Sequence, residues 1–154
     1  METFLVSLVD QLVDFYYIFD QFQEPHLPKE EVRKTIEILL QKGRIITSVE
    51  NGVLLGYTEH WRINFEQLGR LVCHVEPFNV ATEDIEHGPI CFLSNVTVRP
   101  DFRWSKTILK MRNELFERNK DSLFFVGEAN RKKENLWKCF RTSDISLNKG
   151  VLYG

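Results

Sequence analysis

Glu59 and His60 are adjacent titratable residues near the end of an extended apolar run. Neighbouring side chains of a strand point to opposite faces. One of the pair is therefore placed to face a cleft and act as a base, the plainer alternative being a solvated strand end. The other reactive residues do not cluster. Cys73, Cys91 and Cys139 are scattered with no C-x-x-C spacing, and His26, His60, His74 and His87 lack metal-ligand spacing. Neither a metal site nor a disulfide framework is indicated, and a reducing compartment suits the free thiols. The basic cluster Arg131-Lys132-Lys133, with Lys138 and Arg141, belongs to a predicted last helix. Such a run is ordinarily a solvated helix face. A net charge of −2 and a pI near 6.1 argue against a dedicated nucleic-acid binder.

The elements that position these residues follow from pattern. The chain has 154 residues, 43% hydrophobic and 27% charged, which suits one domain with one packed core. Phe4, Leu5, Leu8, Leu12, Phe15 and Phe19 share one face of a predicted first helix. That face either enters the core or docks a protein partner. Glu2, Asp10 and Asp14 interrupt the apolar run, which disfavours a signal peptide or membrane span. Pro28 opens a second helix that runs to about Lys42, with Val32, Ile36, Leu39 and Leu40 as its buried stripe and Gly43 as its cap. Asn51-Gly52 then joins the strands 44–49 and 53–58 into a hairpin, the second strand continuing through Trp61 and Ile63. Residues 64–88 are less regular. Asn64 and Gln67 fit a helix cap, Leu71 to Val75 a short strand, and Thr82 to Gly88 a loop, together a candidate flap for substrate or partner.

The second half is built around residues 94–140. An apolar strand, Ile90 to Val98, is broken by Arg99-Pro100-Asp101-Phe102-Arg103. A helix is predicted from Ser105 to Asn119, a strand from Leu123 to Gly127, and a last helix from Arg131 to Phe140. Strand, helix and strand make a parallel unit. Ile145 to Leu152 reads as a short closing strand.

The run Val96-Thr97-Val98-Arg99-Pro100-Asp101-Phe102-Arg103 resembles the end of the fourth strand of the GNAT acetyltransferase superfamily, where a V-x-P-x-x-R segment feeds a Gly-rich loop. Asn130, followed by Leu136-Trp137, resembles that superfamily's second signature. The resemblance covers residues 44–142 and implies an α/β fold: a mixed central sheet, N-terminal helices over 1–43, a hairpin over 44–63 and a strand-helix-strand-helix unit over 90–142. It also implies acetyl-CoA as cofactor. Val96 and Val98 would supply the backbone edge, Arg103, Trp104, Ser105, Lys106 and Thr107 would bind the pyrophosphate, and Asn130 would orient the cofactor arm. The sequence departs from the pattern at several points. Lys106 and Ile108 occupy the small-residue positions of the family's Gly-rich loop, where a side chain crowds a phosphate cradle. Trp137 replaces the Tyr that protonates the departing thiolate, and Ser94 replaces a carboxylate base.

Three functional expectations follow. The first is an acyl-CoA-dependent N-acyltransferase, with Glu59, His60 or Glu128 as base and a small amine or a protein as acceptor. The second is a catalytically silent GNAT-like interaction module, since small motif-poor proteins of this appearance resemble those of tailed bacteriophages, some of them virion components. The third is a nucleic-acid accessory factor. The expected location is cytoplasmic, or virion-associated for a phage protein.

Overall fold

The computed structural model describes residues 2–19, 28–73, 80–102, 106–129 and 136–145. Helix α1 spans Glu2–Phe19 and α2 spans Lys29–Gln41. The buried residues of α1 include Val9, Leu12, Val13 and Tyr16, at three- and four-residue spacing, with Phe15 beside them. Leu8, Leu12, Phe15 and Phe19 of the expected face all pack on this core, and Val9, Val13 and Tyr16 widen it; the side chains of Phe4 and Leu5 lie outside the described residues. Val32, Ile36 and Leu39 of α2 close against that stripe. An Asp10–Arg33 ion pair at 2.6 Å bridges the two helices at their surface. Gly43 ends α2 with a φ of 71°, a conformation that costs glycine little.

Strands β1 (Ile45–Glu50) and β2 (Val53–Ile63) form the expected hairpin. Asn51 and Gly52 both have positive φ, 52° and 76°, as a type I′ turn demands. Asn64 then caps α3 (Phe65–Val72) in a reciprocal box: the Gln67 amide donates to its side chain, and its own amide donates to Gln67 Oε1. Leu71 and Val72 are the last turn of this helix, so the strand expected over 71–75 does not form there. The apolar residues at 68, 71 and 72 follow helical rather than alternating spacing. A short helix α4 spans Val80–Glu83.

Strand β3 (Ile90–Val98) leads through a 3-10 turn at Pro100–Phe102 to α5 (Lys106–Arg118), and α5 returns to β4 (Phe124–Ala129). β3 and β4 are parallel, as the helix crossover requires. The expected last helix is corrected by the structure. Leu136–Arg141 is a strand, β5, antiparallel to β4 with Phe124 opposite Arg141 and Ala129 opposite Leu136. Its side chains alternate, Trp137 packing on Phe92 while Lys138 and Phe140 turn to the α5 side. Pairing satisfies a β4 edge that a helix would leave open, and this outweighs the helical appearance of the local sequence.

The five strands lie in chain order, β1-β2-β3-β4-β5. One sheet face packs on α1 and α2 through Tyr57, Trp61, Ile63, Ile90 and Phe92. The other packs on α5, where Ile46, Cys91, Val98 and Phe125 meet Met111, Leu115 and Phe116. Among the described residues no helix is long and apolar enough to cross a membrane.

Candidate functional site

The site arises where β3 and β4 part. Their pairing runs only from Ile90 opposite Phe124 to Leu93 opposite Gly127. β3 continues five residues further and β4 two, with no register between them. A bulge lies at the parting point. Glu59 of β2 faces Asn95, but His60 faces Leu93, so Ser94 is the extra residue. Its hydroxyl donates to the Glu59 carbonyl at 3.2 Å. A bulge bends its strand and sharpens the local twist, which turns β3 away from its neighbour.

Between the parted strands and α5 lies a cavity of about 330 Å³. Leu93 and Val96 line it from β3, Phe125 and Gly127 from β4, Phe140 from β5, and Ile108, Met111 and Leu115 from α5. Gly127 leaves room: a Cβ there would meet Leu93 only at 3.9 Å. Two cations stand on an otherwise apolar wall, Arg112 and Lys138. The Arg112 guanidinium lies 5.8 Å from the Phe116 ring centroid, and partial burial lowers its pKa. Thr58 of β2 also lines the cavity. It is only 3% exposed, and its hydroxyl oxygen is shielded from solvent with no hydrogen-bond partner among the described residues.

The opposite end of the same sheet face is closed and polar. Arg62 is almost fully buried. Its Nε donates to the Gly88 carbonyl at 2.7 Å, and its two terminal nitrogens clamp Asp121 at 2.9 and 3.0 Å. That clamp holds the Asp121 carboxyl down at about 2. Asn119 accepts from Arg62 at 3.3 Å and donates to the Leu115 carbonyl at 2.8 Å. Its amide nitrogen also lies 3.2 Å from His60 Nε2, which makes that ring nitrogen the acceptor. His60 is 1% exposed, and its pKa is pushed down to about 3 by burial, with Arg44, Arg118 and Arg62 adding to the effect. Cys91 is wholly buried, and burial pushes its thiol up to about 12. Alongside, Arg44 forks onto Asp84, whose Oδ1 also accepts the Arg62 amide at 2.9 Å. This ties the segment after α4 to the sheet.

The residues singled out from sequence therefore separate. Val96 lines the cavity, while Val98 packs beneath α5. Lys106 is exposed in the first turn of α5, and Thr107 beside it is buried. Glu59 is half-buried on the strand between Tyr57 and Trp61, so it shares their face, away from the cavity. His60 points to the α5 side but sits in the closed polar end. Glu128 stands opposite Trp137 in the β4–β5 pair. Arg103, Trp104, Ser105 and Asn130 lie outside the described residues. Thr58, Gly127, Met111 and Arg112 were not anticipated. The signal for Thr58 was a lone hydroxyl two residues before His60, on the same strand face. Among the described residues no group of His, Cys, Asp or Glu is placed to hold a metal ion.

Solved structures share this architecture. The chain is similar to the loading GNATL domain of CurA from Lyngbya majuscula, with TM-score 0.58 and 12% identity over 79% of this chain and 59% of that one. It is similar to the GphF GNAT-like decarboxylase in complex with isobutyryl-CoA, with TM-score 0.58 and 16% identity over 79% and 61%. A ribosomal-protein-alanine N-acetyltransferase from Brucella melitensis aligns with TM-score 0.51 and 16% identity over 86% and 73%. The chain thus spans about three fifths of the first two neighbours. At these identities the likeness establishes a GNAT-like fold. No protein-family model and no curated protein matches the sequence.

Proposed function

We propose that this chain is an acyl-coenzyme A-binding GNAT-like domain that takes the acyl-bearing arm of the thioester between β3 and β4. The observation that carries this reading is the end of the β3–β4 ladder at Leu93 and Gly127, with a cavity directly behind it. The pantetheine arm carries amides, and strand edges freed from pairing offer backbone partners for them. Gly127 keeps the entrance open. The bound isobutyryl-CoA of the GphF structure supports the same ligand class. Lys106, exposed in the first turn of a 13-residue helix, offers a charge for phosphate in place of the family's glycines.

The thioester brings an activated acyl group, and the proposed reaction is its transfer to an amine: the amide C–N bond forms as the thioester C–S bond breaks, coenzyme A leaves as the thiolate, and the proton the amine loses ends on that sulfur. Backbone N–H groups beside the Ser94 bulge would hold the oxygen that gains charge. His60 is not proposed as the base. A buried imidazole with a pKa near 3 has little affinity for a proton at neutral pH. That closed packing, together with Trp137 and Ser94 at the family's acid and base positions, favours a second reading: a domain that binds the thioester without turning it over.

Calorimetric titration with acetyl-CoA tests the proposal, with Gly127→Leu as the blocked control. Micromolar binding that the variant loses, from a protein that still melts cooperatively, supports it. Binding unaffected by Gly127→Leu places the ligand elsewhere. Mass spectrometry of an amine panel then separates transfer from binding alone.

A further inference from the structure

Arg99 joins three elements at the corner where β3 leaves the sheet for α5. Its amide donates to the Leu55 carbonyl at 2.9 Å and its Nε to the Leu54 carbonyl at 2.8 Å, so main chain and side chain both bind β2. Its guanidinium lies against two rings of α1, 5.7 Å from the Phe15 centroid and 5.0 Å from that of Phe19. Its carbonyl accepts the Phe102 amide at 2.9 Å, which closes the turn at Pro100–Phe102. Phe102 packs on the core beneath α5, whose first residue is Lys106. Arg99 is half-buried. A side chain that only filled this corner would be served by carbon. A guanidinium costs desolvation there, and what it offers in return is a planar fork that fixes direction.

We infer that Arg99 is a positioning residue for phosphate binding: held against the last turn of α1, it sets the direction of the β3–α5 corner and so the place of the Lys106 charge. The inference rests on the acyl-coenzyme A reading and deepens it. Met111, Leu115 and Phe116 anchor α5 in the core independently of the corner. Loosening Arg99 therefore frees the first turn of α5, with Lys106, and leaves the cavity that takes the thioester arm in place. The coupling also runs to α1, because Phe15 and Phe19 reach the corner only through the guanidinium.

The test titrates the intact chain with acetyl-coenzyme A, acetyl-phosphopantetheine and acetyl-pantetheine. The last two differ only by a phosphate, so their affinity ratio reads that contact alone. Arg99→Met keeps most of the side chain's apolar length. It is expected to weaken the two phosphorylated probes roughly three- to tenfold and to leave acetyl-pantetheine unchanged, in a protein that still melts cooperatively. Arg99→Lys, a point charge without the fork, does not restore the loss. Phe19→Leu is expected to act in the same direction, by about two- to fivefold. Added to Arg99→Met it changes nothing further, because the ring works through the guanidinium. Should Arg99→Met fail to fold, the ratio in Phe19→Leu carries the test alone. A merely structural Arg99 would lower the melting temperature and leave the ratio of the two short probes at its wild-type value, which overturns the inference. An effect of Arg99→Met with Phe19→Leu inert makes Arg99 a direct phosphate contact and also overturns it. If the wild type binds acetyl-pantetheine as tightly as acetyl-coenzyme A, the thioester-arm reading stands and the inference falls. If it binds none of the three probes, the acyl-coenzyme A reading falls and takes the inference with it.

Discussion

At one end of the α5-covered sheet face, Arg62, His60, Asn119 and Asp121 bond to one another and to the Gly88 carbonyl. Two to four residues back along β2, Thr58 joins a wall of aliphatic and aromatic groups that borders the cavity. The strands β2 and β3 contribute to both, His60, Arg62 and Cys91 at the closed end, Thr58, Leu93 and Val96 at the open one. What changes between them is the extra residue, Ser94. Before it, β3 and β4 are laced together and the side chains beneath bond to one another, His60 Nδ1 having no hydrogen-bond partner among the described residues. After it, the ladder stops and a cavity opens. Polar side chains bonded to one another hold the closed end, and the parted strands leave apolar space at the other.

That contrast can be broken from either side. The largest effect is expected at the closed end. Arg62→Met strands the Gly88 carbonyl and Asn119 Oδ1, and should cost about 2–3 kcal/mol in urea unfolding, less than a fully buried pair because Asp121 is half exposed. A loss within about 0.5 kcal/mol would mean the network contributes little beyond ordinary surface contacts.

The next effect is the pH dependence set by His60. Its native pKa near 3 lies below the ordinary 6.5, so between those values the unfolded chain takes up a proton that the native chain refuses. The stability it contributes is complete above pH 6.5 and declines as pH falls toward 3, at up to about 1.4 kcal/mol per pH unit. His60→Leu should flatten the stability profile between pH 6.5 and 4. Asp121, depressed to about 2, adds acid sensitivity only below its ordinary value of 3.8, so it does not mask that window. A wild-type slope unchanged in His60→Leu would contradict the buried neutral imidazole.

The smallest stability effect belongs to the open end. Gly127→Leu has space for its Cβ, with Leu93 at ordinary contact distance. It should move stability by less than about 1 kcal/mol while removing thioester binding. A large destabilisation there would show that the cavity is part of the packed core rather than set aside for a ligand.

Much of the frame was legible because its signals are local. Asn51-Gly52 dictates its turn, Asn64 and Gln67 form their box within four residues, and the apolar strand–helix–strand pattern gives the parallel unit. Leu136 to Arg141 misled because a six-residue run with Trp and Phe suits a short helix or a strand. Only the open edge of β4 decides between them, and that edge is a property of the assembled sheet. The site was legible in part. Val96 was named through the family resemblance, as part of a strand edge, and its side chain lines the cavity. Thr58 was not named, since nothing in its neighbours marks the bulge that empties the space beside it. His60 read as a possible base because the groups that enclose it, Arg44, Arg62, Asn119 and Arg118, come from separate elements and meet only in the fold.

The most direct test of the central claim is amide chemical-shift mapping during titration with an acyl-coenzyme A thioester. Shifts are expected at Ser94 to Val98, at Gly127 to Ala129 and in the first turns of α5, with Arg62, Asn119 and the paired Ile90 to Leu93 little changed. Shifts centred on the closed polar end, or none at millimolar thioester, would contradict it.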